Sequence, residues 1–388
     1  MKDTFVIWGA GREGRGFLAD LFQNVGTVVL VDEDTELIHR LQERGQYTLY
    51  HHPGVGHPPH TSRVAGWEAV HTEAEAVIGH VADASALFLC IYIESMADAV
   101  GRIADGLRVR HAVNPEAPLD VFICANSLNY GPTLRGLFLE SLPKELHLWF
   151  ADRVGIVETL VRRTCVTPSE DAAANEPLSL VTNAFPRLLI DGGATKGNFS
   201  AYDGLEFSDD MRRDERLKIF TYNLLHAAYA YLGHRKHYTY LAESRDDPEV
   251  QRAAEQAYAE SKAGLTSRYA MSAAAADALE DTMWRYVVTP ALHDRVDRAG
   301  FNPIRKLSRT ERLVGSALLC MEEGIEPTAI VQVIAAALTY TNEGDPFACE
   351  LNQLVRESGP RVALETCSGL DPTDPQDAQL LDWVIAAV

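Results

Sequence analysis

A glycine-rich turn near the start of the chain restricts its fold more than any other sequence feature. Gly9, Gly11 and Gly14 follow the apolar run Phe5-Val6-Ile7-Trp8 in a Gly-x-Gly-x-x-Gly pattern. Between a strand and a helix, the first glycine permits a tight turn, the second lets the backbone approach a pyrophosphate, and the third lets the helix pack on the strand. The helix N-terminus attracts the phosphates as well. We therefore predict that a dinucleotide is bound by Gly9, Ala10, Gly11, Arg12, Glu13 and Gly14.

Asp32 indicates which dinucleotide binds. It ends the second apolar run, Thr27 to Val31, 18 residues (32 − 14) after the last glycine. A carboxylate there accepts hydrogen bonds from both ribose hydroxyls of NAD and repels the 2′-phosphate of NADP. No arginine follows directly to offset that repulsion. The sequence favours NAD as cofactor, with FAD as a weaker alternative.

The chain changes character near its middle. In the first half, apolar runs such as Ala86 to Ile93 and Leu119 to Cys124 alternate with amphipathic stretches, a pattern that predicts a doubly wound parallel α/β sheet. From about Ser208 onward the apolar residues recur with helical period. We predict an NAD-binding Rossmann-type domain over residues 1–193 and an all-α, mostly helical substrate domain over residues 194–388.

A histidine-rich segment interrupts the first half between Gln46 and Arg63. It contains the stretch HHPGVGHPPHTSR, with four histidines, three prolines and two glycines. Histidine is a good metal ligand, but no cysteine or carboxylate joins these residues at helical spacing. An exposed loop or a hairpin is the better interpretation, and we expect no metal site in this protein.

Composition excludes several classes of partner. The 388 residues carry 55 acidic against 35 basic side chains, a formal net charge of -20, and no concentrated basic stripe. Such a chain is repelled by nucleic acid and by anionic membranes. No apolar run approaches the roughly 20 residues of a membrane span. The six scattered cysteines form no CxxC pair, and the start of the chain leads directly into a strand. We expect a cytoplasmic protein without a secretory signal.

Three polar side chains within one predicted helix indicate the chemistry. Lys218, Asn223 and His226 lie at i, i+5 and i+8 in a segment otherwise rich in Leu, Phe, Ile and Tyr. At about 100° per residue, Lys218 and His226 lie about 80° apart on the helical wheel, with Asn223 about 60° beyond His226. A solvated helix face is the alternative, but such faces favour pairs of Glu and Lys. The set suits alcohol oxidation: a neutral lysine takes the hydroxyl proton, an asparagine donates to the developing alkoxide, and a histidine orients the substrate.

These motifs resemble those of the mannitol dehydrogenase family of polyol dehydrogenases, most closely its branch acting on mannitol 1-phosphate. The likeness extends over nearly the whole chain. It rests on GAGREGRGF at Gly9, on KIFTYNLLHA at Lys218, on PIRKLS at Pro303 and on Cys124-Ala125-Asn126. The resemblance implies interconversion of mannitol 1-phosphate and fructose 6-phosphate with NAD and without a metal.

The resemblance also implies roles for particular residues. Lys218 becomes the general base, Asn126 and Asn223 stabilise the alkoxide, and His226 binds the substrate. Glu215 resembles a family carboxylate proposed to gate proton exit. Arg305 and Lys306 match the motif of the sugar-phosphate branch, and a guanidinium with an ammonium suits a phosphate group. A monomer or a weak oligomer is expected.

The sequence departs from the family pattern at three places. Ala125 stands where an acidic residue is common, Leu224-Leu225 replaces Thr-Gly, and Arg162 replaces a carboxylate that contacts substrate. Arg162 is either an added phosphate ligand or the sign of a different substrate. An unphosphorylated polyol or a hexuronate is therefore an alternative substrate.

Two further alternatives concern the class of protein. A dehydrogenase of the 6-phosphogluconate or β-hydroxyacid type also combines lysine with asparagine, but its asparagine follows the lysine by four residues rather than five. A protein that binds NAD without turnover, as a redox sensor, would not need Lys218.

Overall fold

A computed structural model describes residues 3–54, 57–125, 129–168, 176–286 and 289–388, with the backbone alone over 280–286. The chain divides into two compact units, Met1–Glu215 and Arg216–Val388. The first unit is a mostly parallel α/β sheet and the second is helical, which confirms the predicted fold class. The boundary that we predicted at residue 193 stays a prediction.

The first unit contains two sheets in its described part. The larger has eight strands in the order β12-β11-β8-β7-β6-β1-β2-β5, and the smaller has the order β4-β3-β10-β9. The strands are β1 (Thr4–Trp8), β2 (Thr27–Asp32), β3 (Gln46–His51), β4 (His60–Ala65), β5 (Trp67–His71), β6 (Ala86–Leu89), β7 (Leu119–Ile123), β8 (Val154–Leu160), β9 (Cys165–Val166), β10 (Leu180–Thr182), β11 (Leu188–Asp191) and β12 (Leu205–Ser208). From β5 to β8 all neighbouring pairs are parallel, whereas β11 pairs antiparallel with β8.

Burial on both faces explains the unbroken apolar runs. In β1, Phe5 and Ile7 belong to the hydrophobic cluster on one face of the sheet, and Val6 and Trp8 to the cluster on the other. All four are at most 3% exposed. Each such side chain stabilises the fold by roughly 1.5–3 kcal/mol. The strand therefore holds the turn that follows it in a fixed place.

The histidine-rich segment forms part of a hairpin. β3 and β4 pair antiparallel from Gln46 opposite Ala65 to His51 opposite His60. The rings of His51 and His60 stack with centroids 4.6 Å apart. The hairpin interpretation is thereby confirmed. Within the described ranges, no group of three or more His, Cys, Asp or Glu side chains is arranged to hold a metal ion.

Helices connect the strands of the first unit. A π-helical turn, Gly14–Ala19, leads from the glycine-rich segment into the first of them. They are α1 (Asp20–Phe22), α2 (Thr35–Arg44), α3 (Ala76–Asp83), α4 (Met96–Val113), α5 (Gly131–Ser141) and α6 (His147–Arg153).

The second unit is built from helices around its own core. Its helices, with the one that leads into it, are α7 (Met211–Lys218), α8 (Leu224–Arg235), α9 (Leu241–Asp246), α10 (Pro248–Arg268), α11 (Ala273–Tyr286), α12 (Val296–Gly300), α13 (Pro303–Leu307), α14 (Val314–Glu322), α15 (Thr328–Leu338), α16 (Pro346–Ser368) and α17 (Pro375–Ala387). One apolar cluster joins α8, α10, α15 and α17 through side chains such as Tyr229, Ala257, Ile334 and Leu381. Among the described residues, none of the helices combines the length and the apolar character needed to cross a membrane.

Candidate active site

The three glycines of the N-terminal turn have different surroundings. Gly9 has a φ of 102°, and a Cβ there would lie 2.4 Å from the carbonyl oxygen of Cys90. A Cβ on Gly14 would lie 2.0 Å from the carbonyl oxygen of Gly9. At Gly11, by contrast, no atom lies within 4 Å of the Cβ position. The fold itself requires the first and third glycines, whereas the second leaves open the space into which a pyrophosphate fits.

Asp32 connects the glycine-rich turn to the end of β2. Its Oδ2 accepts a hydrogen bond from the Ala10 N–H at 2.7 Å, and its Oδ1 accepts one from the Asp34 N–H at 3.0 Å. A carboxylate oxygen accepts more than one hydrogen bond, so both oxygens keep capacity for ribose hydroxyls. Arg12 is exposed and Glu13 is partly buried at the start of the following helix.

A cavity of about 270 Å³ lies beside this turn, and Gly9 and Gly11 form part of its wall. Its lining is strongly acidic. The charged side chains that line it are those of Asp32, Glu33, Glu73, Asp98 and Arg102. Four carboxylates around one guanidinium disfavour an additional phosphate group, in agreement with the preference for NAD over NADP that Asp32 indicates.

Arg102 shapes the wall of the cavity, and sequence analysis missed it. From α4 its Nε donates to the carbonyl of Thr72 at 3.3 Å, and one terminal nitrogen donates to the carbonyls of Glu73 and Ala74, both at 3.1 Å. These bonds hold the loop after β5 against the cavity. An arginine on a helix gives no such signal in sequence, because the contact depends on β5 being the neighbour of β2 in the sheet.

The helix that carries Lys218, Asn223 and His226 is not regular. α7 ends at Lys218, a π-helical turn covers Ile219–Asn223, and α8 follows. The Leu224 N–H donates to the carbonyl of Ile219, five residues earlier. The Phe220 carbonyl accepts instead from the Ser261 hydroxyl of α10 at 2.6 Å. A buried serine therefore compensates the interrupted helical ladder.

The π-turn changes the geometry that the sequence suggested. In a regular helix, residues five apart are separated by about 140° around the axis. An i→i+5 turn brings such residues close to alignment. Lys218 and Asn223 are therefore better aligned than the regular wheel predicted, and the five-residue spacing of the motif suits this turn. Both side chains are partly buried.

His226 has a carboxylate partner that the sequence analysis did not identify. Its Nε2 lies 2.9 Å from Oδ2 of Asp294, which is 8% exposed. Burial lowers the pKa of His226, and Arg298 and Arg312 act in the same direction, so that Asp294 only partly restores it. Although burial opposes ionisation of Asp294, His226 and Arg298 together lower the pKa of its carboxyl group. The histidine is therefore neutral at neutral pH, beside an ionised aspartate.

The residues expected to bind phosphate occupy different environments within one turn. Arg305 is exposed on α13, whereas Lys306 is 4% exposed and its Nζ donates to the Phe301 carbonyl. Burial, followed by the charges of Arg312 and Arg305, lowers the pKa of Lys306 well below its ordinary value. Substrate binding by Arg305 and Lys306 stays a prediction.

Two other predicted residues belong to the first unit. Asn126 lies outside the described residues, so its role stays a prediction. Arg162 pairs with Glu206 at 2.7 Å and lies over the ring of Phe185 at 4.5 Å. Arg162, which stands where the family usually has a carboxylate, is therefore already paired with Glu206 of the same unit.

Comparisons with known proteins cover nearly the whole chain. Residues 4–203 match the model of the mannitol dehydrogenase Rossmann domain, and residues 210–361 match that of the mannitol dehydrogenase C-terminal domain. Among solved structures, mannitol 2-dehydrogenase of Pseudomonas fluorescens, in a ternary complex with NAD and D-mannitol, aligns with a TM-score of 0.75 at 18% identity, over 100% of this chain and 95% of that one. A substrate-free D-sorbitol dehydrogenase aligns with a TM-score of 0.71 at 15% identity, over 94% of this chain and 95% of that one. At these identities the structural matches establish the shared fold.

Proposed function

The chain belongs to the mannitol dehydrogenase family, and we propose that Lys218 is the general base with which it oxidises a polyol. It is an NAD-dependent polyol dehydrogenase. When bound, NAD supplies the acceptor for the hydride that leaves the carbinol carbon. The observation that carries the cofactor assignment is the open space at Gly11 next to the Asp32 carboxylate.

In the proposed reaction, each polar group of the interrupted helix has one task. The Lys218 amine takes the hydroxyl proton as the carbon–hydrogen bond breaks. The amides of Asn223 and Asn126 donate hydrogen bonds to the oxygen as negative charge develops there. His226 orients the substrate by a hydrogen bond. Because these groups supply both the base and the oxyanion donors, the reaction needs no metal.

For the substrate we propose mannitol 1-phosphate, converted to fructose 6-phosphate. Support comes from the basic side chains around α13, where Arg305, Lys306 and Arg312 lie near the carboxylates of Glu311 and Asp345. The guanidinium groups of Arg305 and Arg312 are donors of the kind that bind phosphate in a bidentate manner. A free polyol is the second candidate, because the enzymes that share this fold act on mannitol and on sorbitol, as their names state.

A substrate screen tests the proposed function. Formation of NADH is followed at alkaline pH with mannitol 1-phosphate, mannitol, sorbitol 6-phosphate, altronate and 6-phosphogluconate. We expect the highest kcat/KM with mannitol 1-phosphate. A higher kcat/KM with mannitol would favour the free polyol, and turnover of 6-phosphogluconate alone would contradict the reaction class.

The phosphate assignment has its own test in Arg305→Ala. We expect its KM for mannitol 1-phosphate to rise by about tenfold, because one charge-assisted interaction is lost, while its KM for mannitol stays unchanged. The matched control is Arg356→Ala, which removes an exposed arginine from α16. An unchanged KM for the phosphate ester would contradict the role of Arg305.

We also propose that the protein acts in the cytoplasm as a monomer or weak oligomer. The scattered cysteines without a CxxC pair support the reducing compartment. Sedimentation at several protein concentrations tests the oligomeric state, and a concentration-independent dimer would contradict it.

A further inference from the structure

Asp294 joins His226 to a second structural element. The two residues are 68 positions apart in sequence, and their side chains meet at 2.9 Å between Nε2 and Oδ2. Asp294 lies just before α12, and its side chain is 8% exposed. A buried carboxylate with a neutral histidine as partner is a costly arrangement unless other groups stabilise the charge.

Both the side chain and the main chain of Asp294 are held in place. Arg298 donates to both carboxylate oxygens, from Nε to Oδ1 at 2.6 Å and from a terminal nitrogen to Oδ2 at 2.5 Å. The Asp294 carbonyl accepts from the Leu241 N–H at 2.8 Å, and its neighbour Arg295 forms a β-bridge with Tyr240. The carboxylate therefore presents one fixed position to the imidazole.

A carboxylate determines which nitrogen of a neutral imidazole carries the proton. An ionised aspartate only accepts hydrogen bonds, so the nitrogen facing it must be the N–H nitrogen. The charged groups acting on the His226 ring are Asp294, Arg298 and Arg312, and the Tyr222 ring lies parallel to it at 6.4 Å. Burial and the two arginines keep the ring neutral, so it has a single N–H.

We propose that Asp294 is a positioning residue that keeps the proton of His226 on Nε2 and so leaves the Nδ1 lone pair to accept a hydrogen bond from a substrate hydroxyl. This inference rests on the proposed function, because it assumes that His226 binds the polyol. It adds the direction of that hydrogen bond, from substrate to protein. A hydroxyl at this point of the substrate is thereby preferred to a group that only accepts.

Asp294→Asn separates this role from a purely structural one. Arg298 donates to both oxygens of Asp294, and an amide keeps only one of them as an acceptor. We expect the amide oxygen to stay at the Oδ1 position, opposite the Nε of Arg298, which places the NH₂ group beside His226. His226 must then accept at Nε2 and carry its proton on Nδ1. The Nδ1 lone pair is lost, and the substrate hydroxyl no longer has its acceptor. We expect kcat/KM for the polyol to fall by roughly tenfold to a hundredfold, with NAD affinity unchanged.

Nitrogen NMR of the histidine side chains measures the tautomer directly, with the His226 signals identified by their absence in His226→Gln. We expect an Nε2–H ring in the wild type and an Nδ1–H ring in Asp294→Asn. Asp297→Asn is the control, because Asp297 pairs with Arg295 on the surface nearby, and it should leave both tautomer and kcat/KM unchanged. A wild-type ring protonated on Nδ1, or an unchanged tautomer in Asp294→Asn, would overturn the proposal.

Arg298→Met provides a second test in case Asp294→Asn does not fold. It keeps the Asp294 carboxylate and removes one cation that disfavours a charged His226. The proposal predicts the Nε2–H tautomer at high pH and a higher titration midpoint of the ring, and an Nδ1–H ring would contradict it. If wild-type protein shows the expected tautomer and no polyol turnover, the proposed function fails while the tautomer assignment holds.

Discussion

The two units hold their functional groups in different ways. In the first unit, the groups for the cofactor belong mainly to the main chain, and the essential property of Gly11 is the absence of a side chain. In the second unit, the functional groups are the side chains of Lys218, Asn223 and His226. A main-chain site depends on steric room, whereas a side-chain site depends on partners such as Asp294 and Ser261. The two sites should therefore respond differently to substitution.

The largest expected effect is in the side-chain site. Lys218→Ala removes the proposed base, so kcat should fall by about 10²- to 10⁴-fold. Steady-state kinetics with the best substrate of the screen measures it. Lys236→Ala is the control, because it removes a surface lysine paired with Glu249 beyond the end of α8, and it should keep the wild-type kcat. A fully active Lys218→Ala protein would refute the assigned base.

The next largest effect is in the main-chain site. Gly11→Ala places a methyl group in open space, so the free energy of unfolding should stay unchanged while NAD affinity falls by about 30- to 100-fold through lost phosphate contacts. Calorimetry and chemical unfolding measure the two quantities. Gly101→Ala, also in open space but within α4, should keep NAD affinity and stabilise the fold by about 0.5–1 kcal/mol. Equal NAD affinity in Gly11→Ala and Gly101→Ala would show that Gly11 does not contribute to NAD binding.

A smaller effect is expected at the single side chain that the main-chain site requires. Asp32→Asn keeps one acceptor oxygen for the Ala10 N–H, gives up the acceptor for the Asp34 N–H, and loses the negative charge proposed to face the ribose. NAD affinity should fall by about tenfold, as for one charged hydrogen bond. The ratio of NAD to NADP affinity should fall only partly, because Glu33, Glu73 and Asp98 still line the cavity. A complete change of cofactor preference from NAD to NADP in Asp32→Asn would contradict the role of the other carboxylates that line the cavity.

A separate effect concerns the pH dependence of stability rather than catalysis or cofactor binding. His51 of the hairpin is buried and bonds to Ser62 at 2.7 Å. Burial and the charges of Arg163, His60 and His52, opposed by Asp20, lower its pKa to about 4. In the unfolded chain the His51 ring takes up a proton near pH 6.5, whereas in the folded protein it stays neutral until about pH 4. The contribution of neutral His51 to the free energy of unfolding is therefore fully present above pH 6.5 and is lost as the pH falls toward 4.

Chemical unfolding at pH 7 and pH 5 measures this effect. Between pH 7 and pH 5, the free energy of unfolding of the wild-type protein should fall by about 2 kcal/mol more than that of His51→Gln. His39→Gln, which removes an exposed histidine of α2, is the control and should behave as the wild type. Equal losses of unfolding free energy in the wild type and in His51→Gln would show that protonation of His51 does not destabilise the fold.

The main-chain site was predictable from the sequence because its determinants are local. The spacing of Gly9, Gly11 and Gly14, and Asp32 at the end of the next strand, follow from the backbone of a single strand–turn–helix–strand unit. The α/β and helical halves were predictable from the change in periodicity. The contacts of Arg102 were not, because they depend on strand order rather than on sequence spacing.

The side-chain site was only partly predictable. The residue types of Lys218, Asn223 and His226 suggested the chemistry, but a regular helical wheel did not align them. Within the π-turn, the Phe220 carbonyl bonds to Ser261, which lies on another helix, and His226 bonds to Asp294. Likewise, no pattern around Lys306 indicated that its amine is buried. Each of these features is a contact between distant parts of the chain.

The central claim is that cofactor binding and proton removal are carried out by separate sets of residues. Calorimetric titration of NAD into the Lys218→Ala protein tests it most directly. We predict a dissociation constant within about threefold of the wild-type value, a difference of less than about 0.7 kcal/mol. Lys218→Ala is also the variant with the largest expected loss of turnover. Loss of NAD binding together with turnover would contradict it.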